Sequence, residues 1–165
     1  MNGEPASPGA ADPGAPARTI HASAVAIGET GVLIRGPSGC GKSSLAMNLI
    51  FAAGLMQRFA SLVGDDRIDL DTRAGRLVAR GHPKVRGLIE QRGLGIVRMP
   101  HEPAVVARLV VDFIAPGEAV RFPEPERNFV ALCGVQLPVL PLLQGAAPYD
   151  CAVAVLAYLG RADAI

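Results

Sequence analysis

The chain has 165 residues, a formal net charge of +1, and 50% apolar residues. This length suits one domain with a buried core, and the near-neutral charge gives no basis for binding nucleic acid or an acidic membrane surface. The longest apolar stretches are shorter than the roughly 20 residues that a membrane-spanning helix needs. No basic-then-apolar signal segment opens the chain, so we expect a cytoplasmic protein.

The first residues differ in composition from the rest of the chain. Residues 1–17 are almost wholly Ala, Pro, Gly, Ser and acidic residues. Such a segment cannot bury enough apolar surface to offset the entropy that ordering costs, so we expect it to be disordered. We therefore divide the chain into an Ala/Pro/Gly-rich tail over residues 1–18 and one folded domain over residues 19–165.

The first part of the domain combines short apolar runs with one helical pattern. The predicted elements are, in chain order, a strand at 25–27, a hairpin turn at 28–31, a strand at 31–35, a helix over 42–53 and a short buried strand at 61–64. We expect Gly54 to end the helix, because glycine adopts the left-handed conformation of a C-cap without steric cost.

The second part of the domain is rich in strands. The predicted elements are a hairpin of 68–71 and 76–79, a strong β run over 105–114, a hairpin of 129–132 and 135–137 that turns at Cys133-Gly134, and a terminal helix from 149 to 159. Because several hairpins are mixed with the helices, we predict an α/β fold whose sheet is mixed and not purely parallel.

A phosphate-binding motif stands between the strand at 31–35 and the first helix. It reads Gly36-Pro37-Ser38-Gly39-Cys40-Gly41-Lys42-Ser43 and fits the P-loop pattern G-x-x-x-x-G-K-[ST]. Glycines let the backbone curl so that its N–H groups point inward, and the helix N-terminus adds a partial positive charge. A glycine-rich turn would also meet the pattern, but the strand–loop–helix context favours nucleotide binding.

Two adjacent carboxylates, Asp65 and Asp66, follow the buried strand at 61–64. Ligands of open α/β sheets bind at the edge where such strands end. Two neighbouring carboxylates can divide the work, since one takes a hydroxyl proton while the other holds a metal or a basic residue. A solvated turn is the plainer interpretation of an acidic pair, and the position at the sheet edge favours function.

Three further features are ambiguous from the residues alone. His21 stands at the start of a strand, where a histidine is usually structural. The segment 90–96, Glu-Gln-Arg-Gly-Leu-Gly-Ile, is typical of a flexible loop before a strand, with charges that belong either to a site or to the surface. Arg121, in the sequence Val-Arg-Phe-Pro, is unremarkable by composition.

Taken together, these features resemble the catalytic domain of HPr kinase/phosphorylase, which modifies a serine of HPr, a phosphocarrier of the phosphotransferase system. The likeness covers roughly residues 19–145 and rests on His21, the P-loop, the segment 62–66 and the segment 90–96. The last of these is similar to the family signature E-x-R-G-L-G-I and is the most family-specific. The resemblance implies a short form that consists of the P-loop catalytic domain alone.

The resemblance also implies which residues bind the nucleotide and the metal. It implies ATP and Mg²⁺ as cofactors, held by the P-loop residues 36–43. In this interpretation Lys42 contacts phosphate, and Ser43 and Glu90 contact Mg²⁺. Oxygen ligands together with substrate phosphates are what Mg²⁺ prefers.

The remaining roles concern the acceptor. Asp66 matches the family acid–base carboxylate, which deprotonates the HPr serine in the forward direction and protonates the leaving oxygen in reverse. His21 matches an active-site histidine, Arg121 aligns with a family arginine, and Arg92 is a candidate phosphate or partner contact. The family resemblance further implies a homo-oligomer, a hexamer, and an HPr-type phosphocarrier as partner.

The sequence departs from the family pattern in three places. Ser44 stands where the family usually has an acid, and about six additional residues occur around 51–56. The segment 138–143, Pro-Val-Leu-Pro-Leu-Leu, replaces an arginine-containing segment that is linked to dephosphorylation. We therefore expect an ATP- and Mg²⁺-dependent protein serine kinase with weak or absent phosphorylase activity. A nucleotide-sensing module without turnover and a small-molecule P-loop kinase are the alternatives.

Overall fold

The computed structural model describes residues 18–118 and 128–162. Its elements are β1 (Arg18–Ile20), β2 (Ser23–Ile27), β3 (Thr30–Arg35), α1 (Lys42–Leu55), β4 (Ala60–Gly64), β5 (Ile68–Arg73), β6 (Arg76–Gly81), β7 (Leu88–Gln91), β8 (Gly95–Arg98), β9 (Val105–Ile114), a 3-10 helix (Pro116–Glu118), β10 (Phe129–Leu132), β11 (Val135–Leu143) and α2 (Pro148–Ala162). Residues 1–17 of the predicted tail lie outside the described residues, whereas Arg18 begins β1 and pairs with Leu70 of β5.

Within the described residues, nine strands form the main sheet of the domain. Seven of its strands follow the order β1-β5-β6-β9-β3-β2-β4, and β10 and β11 extend it from β9. The central strand β9 runs parallel to β3 and to β11 but antiparallel to β6. The predicted α/β fold with a mixed sheet is therefore confirmed.

The two faces of the sheet bury separate apolar clusters. Side chains alternate along β3, so that Val32 and Ile34 point to the face that α1 and α2 cover, whereas Leu33 points to the other face. That second face is closed by residues of the β5–β6 and β10–β11 hairpins. Each fully buried Leu or Ile stabilises the fold by about 1.5–3 kcal/mol relative to an exposed one. None of the helices in the described ranges is long and apolar enough to cross a bilayer.

Helix α1 continues past the predicted end. Gly54 lies inside the helix, which runs to Leu55, so the prediction of a glycine C-cap was wrong. The left-handed residue that follows is Gln57, with φ of 55°. Its N–H donates to the carbonyl of Gly54 at 3.0 Å, and the N–H of Met56 donates to that of Ala53 at 3.0 Å. These bonds satisfy the last carbonyls of the helix without a glycine at that position.

Two other local predictions need correction. The segment 90–96 is not a loop, because β7 and β8 form an antiparallel hairpin in which Glu90 pairs with Ile96. The strand predicted at 135–137 continues to Leu143, so the segment 138–143 lies in β11, where Pro141 pairs with Asp112 of β9. Proline is tolerated there because, among the residues that the structure describes, no strand pairs with β11 beyond Pro138 on the side away from β9.

Candidate active site

A cavity of about 420 Å³ opens where β3 and β4 end. Both strands are antiparallel to β2, which lies between them, so their carboxyl ends meet at one edge of the sheet. Three walls enclose the cavity: the P-loop, the turn after β4, and the β7–β8 hairpin. The lining residues are His21, Ser38, Gly39, Gly41, Lys42, Ser43, Ser44, Asp65, Asp66, Val85, Leu88, Ile89, Glu90, Arg92 and Ile96.

The P-loop wall is built from backbone curvature and one buried cation. Gly39 and Gly41 have φ of 77° and 107°, a region that residues with a Cβ rarely adopt, and α1 begins at Lys42. The Lys42 side chain is only 6% exposed. Its ammonium donates to the carbonyls of Gly36 at 3.1 Å and Pro37 at 3.0 Å. The positive charge is therefore already held inside the loop, beside the N-terminus of α1.

Asp65 is a buried carboxylate that contacts the P-loop directly. The Ser43 hydroxyl donates to Oδ2 of Asp65 at 2.8 Å, and the Ser23 hydroxyl donates to Oδ1 at 2.5 Å. Asp65 is 5% exposed, so these hydrogen bonds offset the cost of burying its charge. The amino-acid sequence alone indicated no specific role for Asp65 and did not point to Ser23. Their contact depends on the pairing of β2 with β4, which the local sequence of either strand does not predict.

Asp66 occupies a strained turn at the mouth of the cavity. Its φ is 66°, and the N–H of Arg67 closes a three-residue turn by donating to the carbonyl of Asp65 at 2.8 Å. Turns of this kind with a positive central φ are rare, and strain of this type clusters at functional sites. The turn directs the Asp66 carboxylate toward His21, whose Nδ1 lies 3.4 Å from its Oδ1. Both side chains are more than half exposed.

A close approach of Gly64 and Gly81 brings the turn after β4 next to the segment that leads to the third wall. A Cβ on Gly64 would lie 2.6 Å from the Cα of Gly81, so β4 and β6 meet at a distance that only glycines permit. Immediately beyond this contact, the N–H of His82 donates to the carbonyl of Arg67 at 3.0 Å. The segment after β6 therefore begins beside Asp66 and leads along the cavity to β7.

The β7–β8 hairpin forms the third wall. Ile89 anchors it in the cluster beneath the helices, and the N–H of Met99 donates to the carbonyl of Gly87 at 2.8 Å. Glu90 and Ile96, which pair across the hairpin, both line the cavity, and Arg92 lines it from the turn. Tertiary structure thus brings Glu90 to the same cavity as Lys42, although the two residues are distant in sequence.

The lining groups fit a magnesium–nucleotide complex. The P-loop backbone, Lys42 and the helix N-terminus suit phosphates, and the oxygens of Ser43, Asp65 and Glu90 are the hard donors that Mg²⁺ prefers. Within 18–118 and 128–162, no three His, Cys, Asp or Glu side chains form a metal-binding group of their own. This donor set matches an ion that binds through a few protein oxygens and the phosphates of its nucleotide.

Most of the predicted site residues fall in or beside this cavity. His21, Lys42, Ser43, Asp66 and Glu90 all line it. Of the other P-loop residues, Ser38, Gly39 and Gly41 line it, Gly36 and Pro37 hold Lys42 through their carbonyls, and Cys40 is half-buried behind the loop. Arg121 lies outside the described residues. Ser44, the departure after the P-loop serine, also lines the cavity.

Sequence comparisons place relatives over part of the chain. The family model described as the HPr Serine kinase C-terminal domain matches residues 14–102. The HPr kinase/phosphorylase of Mycoplasma mycoides is 43% identical over 81 residues, which are 49% of this chain and 24% of the relative. That of Clostridium beijerinckii is 39% identical over 87 residues, 53% of this chain and 27% of the relative. The matched regions therefore span about a quarter of these relatives.

A solved structure covers more of the chain. The Hpr(Ser) kinase/phosphatase from Coxiella burnetii superposes with a TM-score of 0.74 and 24% identity, over 88% of this chain and 99% of that chain. At this identity, the likeness supports the fold.

Proposed function

The chain belongs to the HPr serine kinase C-terminal domain family, and on that premise we propose that it transfers the γ-phosphoryl group of ATP to a serine of an HPr-type phosphocarrier protein. The observation that carries the proposal is that one cavity is lined both by the buried Lys42 and the half-buried Ser43 and by the exposed Asp66–His21 pair. One wall suits a nucleotide, and the opposite turn presents a carboxylate at the opening, where a protein serine can reach it.

Each side chain has a distinct task in this proposal. Lys42 would contact phosphate oxygens from its position in the loop, and the Ser43 oxygen would be a metal ligand while its proton stays hydrogen-bonded to Asp65. Asp66 accepts the proton of the acceptor hydroxyl, and His21, at 3.4 Å, holds the carboxylate in position. Asp65 keeps Ser43 oriented and contributes negative charge beside the metal. Magnesium–ATP supplies the phosphoryl group and neutralises the charge that develops on its oxygens.

Glu90 and Asp65 are the carboxylates that the proposal assigns to the metal. Glu90 reaches the cavity from the hairpin and Asp65 from the sheet edge, so the two approach from different walls. Support for the pair comes from their shared lining of the cavity with Ser43. Arg92, which also lines the cavity, is assigned to phosphate or to the partner.

Phosphorylase activity is proposed to be weak. Attack of inorganic phosphate on phosphoserine requires cationic groups around crowded anionic oxygens. The segment 138–143 offers no charge, and it forms most of the β11 region that pairs with β9. Incubation of phosphoserine-HPr with the protein, Mg²⁺ and phosphate should release pyrophosphate far more slowly than the forward reaction proceeds. Comparable rates would contradict this part of the proposal.

The direct test is transfer of label from [γ-³²P]ATP to purified HPr-type phosphocarrier. Labelling of a serine, lost when that serine is changed to Ala, supports the kinase. ATP binding without transfer would favour the nucleotide-sensing alternative, and transfer to small hydroxyl compounds but not to the protein would favour a small-molecule kinase.

Self-association and a cytoplasmic location belong to the same proposal. Four large apolar side chains at the C-terminal end of α1 are more than half exposed: Phe51, Leu55, Met56 and Phe59. An exposed apolar surface of this kind supports a contact between copies of the chain, and the family resemblance suggests a hexamer. Light scattering should give a mass several times the 17.1 kDa of the monomer. Use of ATP as the donor supports the cytoplasm as the setting.

A further inference from the structure

Five exposed cations lie on the segments that bound the cavity, one of them lining it and four next to or paired with lining residues, and we propose that they dock acidic side chains that flank the acceptor serine on the partner protein. We call this group the basic rim: Arg67, Lys84, Arg86, Arg92 and Arg98. The inference rests on the proposed kinase function and deepens it, because it specifies the chemistry of the protein surface that the site accepts.

The basic rim is a local concentration of charge. Residues 82–98 contain four Lys or Arg residues and one acid, Glu90, whereas the whole chain carries a net charge of only +1. All five rim side chains are exposed. In the part of the chain that the structure describes, none of the five makes a side-chain hydrogen bond or an ion pair. Their charges are therefore available to a partner.

Backbone contacts fix the first half of the rim beside the catalytic carboxylate. Arg67 directly follows Asp66, and its carbonyl accepts from the N–H of His82. Lys84 and Arg86 flank Val85, whose side chain lines the cavity. The N–H of Val85 donates to the carbonyl of His82 at 3.0 Å, and a second turn follows at once, which holds this short segment against the cavity.

The hairpin carries the second half of the rim. Arg98 pairs with Leu88, and paired residues of antiparallel strands project from the same face of the sheet. Leu88 lines the cavity, so Arg98 lies on the face that borders it. Arg92 lines the cavity from the turn of the hairpin. The cations thus follow the opening from the turn after β4 to the hairpin tip.

The position of the rim selects the acceptor and not the nucleotide as its ligand. Nucleotide phosphates are bound at the P-loop wall, where Lys42 and the helix N-terminus lie. An acceptor hydroxyl has to come within about 3 Å of the Asp66 carboxylate, so the protein that carries it must cover Arg67 and the segment 82–86. Acidic side chains on that protein would meet cations without partners, and basic ones would be repelled.

The test uses the double variant Lys84→Glu/Arg86→Glu, with Arg76→Glu as the matched control. Arg76 is exposed at the β5–β6 turn and does not line the cavity. Two fluorescent serine peptides, identical except that glutamates or lysines flank the serine, are titrated against each protein in the presence of Mg²⁺ and ADP. At low salt, we expect the wild-type protein and Arg76→Glu to bind the glutamate-flanked peptide about tenfold more tightly than the lysine-flanked peptide. The double variant should lose this preference.

The salt dependence of the peptide preference and the kinetic constants of the double variant provide two further tests. The preference should shrink as salt rises, since exposed charges are screened. With HPr-type phosphocarrier as substrate, the double variant should raise the acceptor KM about tenfold while kcat and ATP affinity stay unchanged. Equal binding of both peptides by the wild-type protein, or an unchanged preference in the double variant, would overturn the inference. So would a loss of ATP affinity, which would assign the cations to the nucleotide, and so would tighter binding of an oligonucleotide than of the acidic peptide.

Failure of the proposed function has a different signature. A wild-type protein that discriminates between the peptides but does not phosphorylate HPr would remove the assigned substrate and leave the rim as an acidic-ligand site. A wild-type protein that phosphorylates HPr but binds both peptides equally would keep the kinase and remove the rim.

Discussion

The P-loop wall and the hairpin wall of the cavity differ in how completely the fold organises them. On the P-loop wall, Lys42 and Asp65 are buried and every polar group that they present has a protein partner. On the hairpin wall, Leu94 and Ile96 at the tip are 70% and 73% exposed, and Glu90 and Arg92 extend into water. One wall is set before any ligand binds, and the other presents groups that gain contacts from a partner.

In the proposed reaction, this difference assigns the nucleotide to the P-loop wall and the protein acceptor to the hairpin wall. A nucleotide offers the same phosphates in every encounter, so a rigid loop of backbone N–H groups recognises it with little further ordering. A protein acceptor offers a broad surface, and exposed apolar and charged side chains on a short hairpin can meet it. The Asp66–His21 pair lies between the walls, where the two substrates of the proposed reaction would meet.

The largest effect is expected from substitution of Asp66, the carboxylate that lies between the two walls. Asp66→Asn keeps the shape and, like Asp, tolerates the left-handed conformation, but it cannot accept the proton. We expect turnover to fall by about 10² or more while ATP binding survives. The measurements are kcat with HPr as acceptor and ATP affinity by calorimetry. Asp65→Asn is the matched comparison and should weaken metal-dependent ATP binding instead. Loss of transfer in Asp65→Asn with an active Asp66→Asn would reverse the two assignments.

The next test addresses the P-loop wall. Lys42→Ala removes a charge-assisted contact to phosphate worth about 1.5–3 kcal/mol, so ATP affinity should fall roughly ten- to a hundredfold. Lys84→Ala removes an exposed lysine from the hairpin side and should leave ATP affinity unchanged. Calorimetry on both folded variants measures their ATP affinity and tests both expectations. Equal ATP affinity in Lys42→Ala and the wild-type protein would show that the loop does not hold the nucleotide.

A smaller effect should distinguish a functional hairpin wall from a plain surface. Glu90→Gln removes the negative charge of the carboxylate that is proposed to contact Mg²⁺. The Mg²⁺ concentration for half-maximal transfer should therefore rise several-fold. Gln91→Ala changes the adjacent residue of β7, whose side chain points to the opposite face, and should not alter the titration. If the Mg²⁺ titrations of Glu90→Gln and the wild-type protein coincide, the bland interpretation of an exposed surface strand is correct.

The smallest effect concerns folding. Leu94→Ser at the hairpin tip should change the free energy of unfolding by no more than about 0.5 kcal/mol, because the side chain is already in water. By contrast, Leu49→Ala in the core beneath α1 should cost about 2–5 kcal/mol. Urea unfolding of the isolated protein measures both. A large loss of stability in Leu94→Ser would mean that the tip is buried against another copy of the chain.

Local sequence patterns predicted the individual helices and strands better than they predicted how these elements pair and pack. The P-loop strand, the helix at Lys42 and the long strand Val105–Ile114 follow from apolar runs and from a motif whose chemistry demands its residues. Predictions failed where another residue supplied the local turn or where strand pairing outweighed local preference. The helix passes Gly54 because Gln57 takes the left-handed position, and β11 passes two prolines because β9 pairs along its other side. The signature segment 90–96 reads as a loop, since its glycines conceal two short strands whose pairing defines them.

The sequence by itself determined the chemistry of each separate piece: a phosphate loop, an acidic pair at a strand end and a family signature. It determined these because each depends on residues that are neighbours along the chain. The folded structure separates the two carboxylates, because Asp65 is buried and Asp66 is exposed at the cavity mouth. Pairing of β2 with β4 buries Asp65 between Ser23 and Ser43, and the strained turn directs Asp66 toward His21. The turn after β4 points these two adjacent side chains in different directions, so Asp65 meets Ser23 and Ser43 whereas Asp66 meets His21, and only folding brings these partners together.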